Sequence, residues 1–196
     1  MEADQAAAGA ILQIIQPEYK AEHTRVKPVI IMLSGLPGTG KSYLSRKLAE
    51  RLGFAPLESD AVRKELFPRP SYSVRESTVV FRAIHNLIKE RLQNSRSVIF
   101  DATNLEERHR KNVYRIAERT GARLILVEVE APPQTVQKRL RARSLNRNND
   151  NYSDATWETY QRMKKSADKI HIPHYIVNTE GDIGPIIEKI VKEASH

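Results

Sequence analysis

Residues 35–42 read G-L-P-G-T-G-K-S and match the phosphate-loop pattern G-x-x-x-x-G-K-[ST] at every fixed position. The apolar run 29–33 precedes this motif, has the length of a strand and is rich in β-branched residues. Leu44, Leu48 and Leu52 follow it at the i, i+4 spacing of a helix. A strand, a glycine-rich loop and a helix in this order form the context in which the motif binds nucleotide phosphates.

Each residue type in the loop has a chemical reason. Gly35, Gly38 and Gly40 let the backbone adopt positive φ and approach an anion closely. Lys41 supplies a charge to the β- and γ-phosphates, and Ser42 supplies a hydroxyl ligand to Mg²⁺. We therefore predict ATP and Mg²⁺ as cofactors. The loop residues expected to contact the nucleotide are Gly35, Pro37, Gly38, Thr39, Gly40, Lys41, Ser42 and Tyr43.

Other nucleotide-binding classes fit the sequence less well. Asp60 follows the loop by about 20 residues, as in dinucleotide-binding folds, but the G-x-G-x-x-G pattern of those folds is absent. The chain contains no Asn-Lys-x-Asp, which argues against a GTPase, and no strand ends in the Asp-Glu pair expected of an AAA+ motor. It also lacks the His-Arg-Asp of protein kinases.

Charge and cysteine content narrow the function classes further. The chain carries 32 Lys and Arg against 24 Asp and Glu, a formal net charge of +8, which fits an enzyme acting on polyanions and also a nucleic-acid binder. Cysteine is absent, which excludes disulfides and Cys-ligated metals. Residues 1–27 show neither a signal peptide nor a membrane span, so we expect a cytoplasmic protein.

The order of apolar segments predicts a doubly wound α/β domain with a parallel five-stranded sheet. Residues 1–27 are expected to form an N-terminal helix and a connector, and residues 28–196 the domain itself. We predict that Ser73 with Glu76, and Thr103 with Glu106, form capping boxes at helix starts. Another helix is predicted to begin at Pro132-Pro133 and a later one to be capped by Ser153. The predicted strands are 29–33, 54–58, 98–100, 123–130 and 174–177.

Asp60 and Arg63 stand just after the second predicted strand. Because strand C-termini face the ligand crevice of an open α/β sheet, both side chains are expected on the substrate side. Asp60 is our candidate general base for an acceptor hydroxyl, and the alternative is a helix N-cap. Arg63 is interpreted either as a ligand of an acceptor phosphate or as a solvated surface arginine.

Further candidates follow the third strand and lie in a basic helix. Asp101, Thr103 and Asn104 are predicted substrate ligands, with Thr103 equally suited to capping. Asp101 is also expected to meet Mg²⁺ through water or to orient Lys41. Arginines 139, 141 and 143 open a basic lid of about residues 139–152, and Arg139 and Arg143 are predicted to contact the nucleotide phosphates.

Three stretches carry a resemblance to a known family: the phosphate loop, S-D-A-V-R at 59–63 and F-D-A-T-N at 100–104. Together they make residues 28–180 similar to small P-loop kinases grouped with the kinase domain of phage polynucleotide kinase and, more distantly, with zeta-toxin kinases. The resemblance implies that Asp60 activates a nucleic acid 5′-hydroxyl. It also implies that Arg63 holds the adjacent 3′-phosphate and that Arg143 contacts the donor phosphates.

We therefore predict a phosphotransferase that moves the γ-phosphoryl group of ATP to an alcohol, with DNA or RNA 5′ ends as the leading acceptor. The first alternative acceptor is a small-molecule hydroxyl on a sugar, nucleoside, antibiotic or nucleotide-sugar. The second alternative is an ATP-binding regulatory module with slow hydrolysis. These three hypotheses differ in the acceptor and share the nucleotide site.

Overall fold

A computed structural model describes residues 27–145 and 153–196. The predicted N-terminal helix and residues 146–152, which are half of the predicted lid, lie outside these residues. The described elements, in chain order, are β1 (Val29–Ser34), α1 (Lys41–Leu52), β2 (Ala55–Glu58), α2 (Ser59–Leu66), α3 (Val74–Gln93), β3 (Val98–Asp101), α4 (Glu107–Thr120), β4 (Arg123–Glu130), α5 (Pro133–Leu145), α6 (Trp157–Lys165), β5 (Tyr175–Asn178) and α7 (Gly184–Ser195).

The five strands form one parallel sheet in the order β2-β3-β1-β4-β5. The strand that precedes the phosphate loop is central, with Leu33 paired in register with Asp101 of β3 and with Val127 of β4. The predicted parallel five-stranded α/β fold is therefore confirmed. Its C-terminal edge collects the segments that follow each strand, which is where ligands bind in open α/β sheets.

Side-chain alternation along β1 divides the core between the two faces of the sheet. Ile30 and Met32 point into a cluster completed by α3 and α4, whereas Ile31 and Leu33 point into a cluster completed by α1 and α7. All six residues of β1 are buried, as expected of a central strand in a parallel sheet covered on both faces. A smaller cluster joins α5 to α6 through Val136, Leu140 and Tyr160.

Three helix starts test the capping predictions. Ser73 caps α3, because its side chain accepts a hydrogen bond from the Glu76 backbone N–H. The Thr103 and Ser153 predictions are wrong. The N–H of Glu107, at the start of α4, is met by Asp168 from a distant segment, and α6 is capped by Thr156. At the start of α4, a contact with a distant segment takes the place of a local cap. At the start of α6, the cap is the hydroxyl of Thr156, three residues after Ser153.

Arg110 in α4 is fully buried and joins the segment before α4 to the segment before β5. Its guanidinium donates to the carbonyl oxygens of Asn104, Leu105 and Lys169 at 2.7–2.9 Å and to that of Asp168 at 3.2 Å. It also pairs with Glu107 at 2.9 Å. Five acceptors compensate the buried charge of Arg110. Removing the guanidinium therefore leaves several of these acceptors without a donor.

No helix among residues 27–145 and 153–196 combines the length and apolarity that crossing a bilayer requires.

We predict that Arg110→Met lowers the free energy of unfolding by about 3–5 kcal/mol, since the substitution removes the guanidinium that donates to these carbonyl oxygens and leaves the Glu107 carboxylate without its partner. Urea denaturation measures the change. Lys111→Met, at an exposed position of the same helix, is the control and is expected to change stability by about 0.5 kcal/mol or less. Equal effects of the two substitutions would contradict the role assigned to Arg110.

Candidate active site

The phosphate loop has the positive-φ backbone that its glycines predicted. The φ values of Gly35, Gly38 and Gly40 are 153°, 79° and 99°, in or near regions that L side chains rarely adopt. A Cβ on Gly35 would lie 2.3 Å from the carbonyl oxygen of Val129. The first glycine is therefore required by close approach of β4 as well as by its own backbone conformation.

Arg139 and Thr179 clamp this loop from the side of β5. The Arg139 guanidinium donates to the Thr179 hydroxyl oxygen at 2.8 Å and to the Thr179 carbonyl oxygen at 2.9 Å. The Thr179 hydroxyl in turn donates to the carbonyl oxygen of Thr39 at 2.5 Å. Arg139 was predicted to contact the nucleotide directly. In the structure its guanidinium holds Thr179 against the loop, and Arg139 also lines the cavity, so its contact with the nucleotide stays a prediction.

Lys41, Ser42 and Asp101 form the polar centre beneath the loop. The Lys41 ammonium donates to the carbonyl oxygen of Leu36 at 3.0 Å. Burial lowers the pKa of Lys41, while the nearby Asp101 and Asp60 carboxylates oppose that shift. Burial raises the pKa of Asp101, opposed by Lys41 and by the Ser42 hydroxyl. The Lys41 ammonium and the Asp101 carboxylate thus stabilise each other's charged form, and the Ser42 hydroxyl stabilises that of Asp101.

Asp60 occupies the second position of α2 and is half-buried. The cap position belongs to Glu58, and no side-chain cap is made there. No hydrogen bond from another residue in 27–145 or 153–196 ends on the Asp60 carboxylate, although its charge acts on Lys41 and Arg143. The carboxylate therefore does not cap the helix, and it interacts electrostatically with Lys41 and with Arg143.

Glu58 is a site residue that the sequence interpretation missed. It ends β2 and pairs in register with Asp101 of β3. Burial, reinforced by Asp101 and Asp60 and opposed by Arg46, raises the pKa of Glu58 to about 7. Asp60 was selected because side chains at the C-terminal ends of strands face the ligand crevice, and Glu58 stands at the same strand end. The sequence therefore already indicated Glu58 as a candidate site residue.

Arg63 is not a solvated surface arginine, and its role as a ligand of an acceptor phosphate stays a prediction. It is 6% exposed and pairs with the buried Glu76 carboxylate at 2.5 Å. Its second guanidinium nitrogen donates to the Ser77 hydroxyl at 3.3 Å, and the Tyr72 ring lies 4.9 Å from the guanidinium carbon. Burial opposes the ionisation of Glu76, but hydrogen bonds from Ser71 and Arg63 lower the pKa of Glu76 to about 2. The pair is therefore charged at neutral pH.

Asn104 makes a structural hydrogen bond, and its predicted role as a substrate ligand stays a prediction. It is 4% exposed with φ of 46°, and its amide nitrogen donates to the carbonyl oxygen of Leu33 at 2.7 Å. The Thr103 carbonyl oxygen accepts from the Gly35 N–H at 2.9 Å. The Thr103 side chain, which lines the site, keeps its predicted role as a proposal.

Arg143 and the segment after the lid approach the acceptor side. Arg143 is half-buried, and its guanidinium donates to the carbonyl oxygen of Ala155 at 2.9 Å. Burial lowers the pKa of Arg143, and the carboxylates of Asp60 and Asp154 oppose that shift. Asp154 accepts a hydrogen bond from the Tyr72 hydroxyl at 3.0 Å and lies 3.7 Å from the Lys64 ammonium. Arg141 is exposed and does not line the site.

One cavity of about 1500 Å³ brings most predicted residues together. Its volume exceeds the roughly 300–1000 Å³ of a typical small-ligand pocket, so it has room for a nucleotide and an acceptor. The predicted residues that line it are Pro37, Gly38, Gly40, Lys41, Ser42, Tyr43, Asp60, Arg63, Asp101, Thr103, Asn104, Arg139 and Arg143.

The donor set fits a magnesium ion that arrives with the nucleotide. Residues 27–145 and 153–196 contain no group of three or more acidic or histidine side chains arranged to hold a metal alone. Ser42 offers a hydroxyl, and one oxygen of the buried Asp101 carboxylate has no hydrogen-bond partner among the described residues. Mg²⁺ usually takes few protein ligands and completes its shell with phosphate and water.

Thr179 was also missed by the sequence interpretation. It is 9% exposed and lies directly after β5. The predicted last strand ended one residue before the observed one, so the polar residue at its C-terminal end was not considered.

Comparison with known proteins identifies the class. A family model for an AAA domain matches residues 30–170, and the chain therefore belongs to this family, whose members are P-loop kinase-like. The Asp-Glu pair of AAA+ motors is absent at β3, which ends in Asp101-Ala102.

Among individual proteins, the chain is 32% identical over 114 residues to the L-seryl-tRNA(Sec) kinase of Methanococcus maripaludis. That match covers 57% of this chain and 44% of the kinase, so the chain spans less than half of its relative's length.

Two solved structures share the fold. A putative kinase from Chloroflexus aurantiacus superposes with a TM-score of 0.69 at 18% identity, covering 85% of this chain and 98% of that one. A gluconokinase from Sinorhizobium meliloti superposes with a TM-score of 0.59 at 18% identity, covering 87% and 94%.

We predict that Glu58→Gln stabilises the protein at pH 8 and not at pH 4. The pKa of Glu58 rises from its ordinary value of 4.5 to about 7 on folding, so at pH 8 the folded state bears the cost of an ionised buried carboxylate. That cost is at most about 3 kcal/mol. At pH 4 the carboxyl is mostly neutral in both states, and the substitution is expected to change little.

Urea denaturation of the nucleotide-free protein at both pH values measures this difference. Glu90→Gln, at an exposed position of α3, is the control and is expected to change stability little at either pH. A Glu58→Gln effect that is the same at pH 4 and pH 8 would show that burial of Glu58 does not penalise its charge.

Proposed function

We propose that this protein transfers the γ-phosphoryl group of ATP to the 5′-hydroxyl of a polynucleotide, with Asp60 as the general base. One observation carries the reaction type: the Asp60 carboxylate, which accepts no hydrogen bond from another described residue, lines the same cavity as Lys41 of the phosphate loop. A base must reach the acceptor proton while the donor phosphate is gripped, and this placement allows both.

In the proposed reaction, the phosphate loop, Asp60 and Arg143 would each have a separate role. The loop backbone after Gly35 presents N–H groups to the donor phosphates, and Lys41 exchanges the Leu36 carbonyl oxygen for a phosphate oxygen. Asp60 accepts the proton of the acceptor hydroxyl as the hydroxyl oxygen bonds to the γ-phosphorus, and the bond between the γ-phosphorus and the β,γ-bridging oxygen breaks, with ADP as the leaving group. Arg143 neutralises charge that develops on the transferred group. Magnesium bound with ATP would add Lewis-acid neutralisation of the phosphates, and Ser42 would hold it, with Asp101 acting through water.

Three observations support a nucleic acid as acceptor. The chain carries a net charge of +8. The Asp60-to-Arg63 spacing and the 101–104 stretch are similar to those of polynucleotide kinases. The seryl-tRNA kinase relative acts, by its name, on a substrate attached to an RNA.

A small-molecule hydroxyl is the second candidate, and the state of Arg63 favours it. The resemblance implies that Arg63 holds the acceptor's 3′-phosphate, but its guanidinium is already paired with Glu76. An acceptor without that phosphate would leave this pair undisturbed. The gluconokinase among the structural neighbours is a kinase of a small molecule.

We predict that Asp60→Asn reduces kcat by roughly 10²–10⁴-fold, the usual contribution of a general base, and leaves ATP affinity within about threefold. Asparagine keeps the size of the side chain but cannot accept the proton. Transfer of γ-³²P from ATP to a 5′-hydroxyl oligonucleotide measures kcat, and a fluorescent ATP analogue measures binding. Glu65→Gln, at an exposed position of the same helix, is the control. An Asp60→Asn variant with normal turnover would remove the proposed base.

The acceptor is decided by labelling. The wild type is expected to label an oligonucleotide that ends in a 5′-hydroxyl and not one that already ends in a 5′-phosphate. If neither is labelled but a pool of sugars and nucleosides stimulates ATP consumption, the small-molecule kinase is correct. If ATP binds tightly and no acceptor stimulates turnover, the protein is an ATP-binding module.

A further inference from the structure

The cavity extends beyond the reaction centre into a groove between α3 and α4. Its walls carry Arg82, His85 and Lys89 from α3 and Arg108, Arg115 and Arg119 from α4. We call this the α3–α4 groove. We propose that it binds a single-stranded stretch of nucleic acid, namely the part of the acceptor that follows the reacting 5′ end. The direction in which this nucleic acid strand would run rests on the proposed function, because that function places the 5′ end at Asp60.

The basic residues form one stripe on each helix. Residues 82, 85 and 89 are spaced by three and four, and so are Arg108, Asn112, Arg115 and Arg119, of which Asn112 is polar and uncharged. Each set therefore lies on one helix face. α3 and α4 pack against each other over the same face of the sheet. Two basic stripes therefore face one channel that leads to the strand ends.

The length of the channel suits a polymer better than a single phosphate. From residue 108 to residue 119 a helix rises about 16 Å, which is much longer than a single phosphate group. The stripe on α4 alone is therefore long enough to contact more than one phosphate of a strand. A small acceptor would occupy only the end of the cavity that holds Asp60.

The groove cations have little acidic compensation. Of its five arginine and lysine residues, Arg108 pairs with Glu106 at 2.6 Å. No ion pair with another residue in 27–145 or 153–196 involves Arg82, Lys89, Arg115 or Arg119, all of which are exposed. Glu106 is the one acidic residue that α3, α4 and the turn before α4 contribute to the cavity lining, within the described part of the chain. Uncompensated cations along a concave wall create the positive potential that phosphate backbones bind.

Rings at the junction of the two helices favour a nucleic acid over an inorganic polyanion. Phe81 and His109 stack with their centroids 5.9 Å apart and their planes at 28°, and His85 lies 6.3 Å from Phe81. All three rings line the cavity. Single-stranded nucleic acids are bound by basic grooves in which bases stack on such rings, without dependence on sequence.

The test measures binding and does not depend on turnover. Fluorescence anisotropy of a labelled 12-nucleotide 5′-hydroxyl DNA is recorded between 50 and 200 mM salt for the wild type and for the double variant Arg115→Gln/Arg119→Gln. We expect the double variant to bind on the order of tenfold more weakly, and its plot of log affinity against log salt to be shallower by about 1.4, because two phosphate contacts are lost. Lys189→Gln/Lys192→Gln, at exposed positions of α7 outside the cavity, removes the same charge and is expected to bind within twofold of the wild type.

The outcomes separate this inference from the proposed reaction. Thermal melting of each variant within a few degrees of the wild type confirms that the fold is intact. If the oligonucleotide binds through the groove but is never phosphorylated, the proposed reaction fails and the groove stands. If the wild type does not bind the oligonucleotide at 50 mM salt, or if both double variants lose affinity equally, the groove assignment is overturned whatever the kinase assay shows.

Discussion

Two hydrogen bonds between the ends of β1 and β3 fix the geometry of the whole site. The Gly35 N–H meets the Thr103 carbonyl oxygen at 2.9 Å, and the Asn104 amide meets the Leu33 carbonyl oxygen at 2.7 Å. The phosphate loop begins immediately after one strand, and Asp101 ends the other. The distance between the phosphate cradle and this carboxylate is therefore set by paired backbone in the buried centre of the sheet, where little can move.

The sequence predicted the fold and the nucleotide side of the site because both depend on local patterns. The glycine spacing set the loop conformation, and apolar runs between helical periods located all five strands within one or two residues. Predictions that depended on distant partners were less successful. The partner of Arg63 is Glu76, thirteen residues later, and the partner of Arg139 is Thr179, forty residues away. Spacing within a motif contains no information about such pairs, so the acceptor side could not be derived.

The buried ion pair of Arg63 and Glu76 makes it costly for Arg63 to bind a phosphate of the acceptor. Removing one member of a buried ion pair costs several kcal/mol because the other charge is left without compensation. An acceptor phosphate that recruited Arg63 would have to compensate Glu76 in some other way, and Ser71 and the backbone at residues 71–72 already donate to that carboxylate. The pair therefore acts first as a support for the loop before α3, and any contribution to acceptor choice comes through that loop.

The contacts of Asp154 make access to the cavity inexpensive. They consist of one hydrogen bond from the exposed Tyr72 and one longer pairing with the half-buried Lys64. Interactions of this kind contribute on the order of 1–2 kcal/mol together. The link that Asp154 makes across the cavity is therefore weak beside the buried ion pair of Arg63 and Glu76, so this wall of the cavity can separate at a much lower cost than the loop before α3 can.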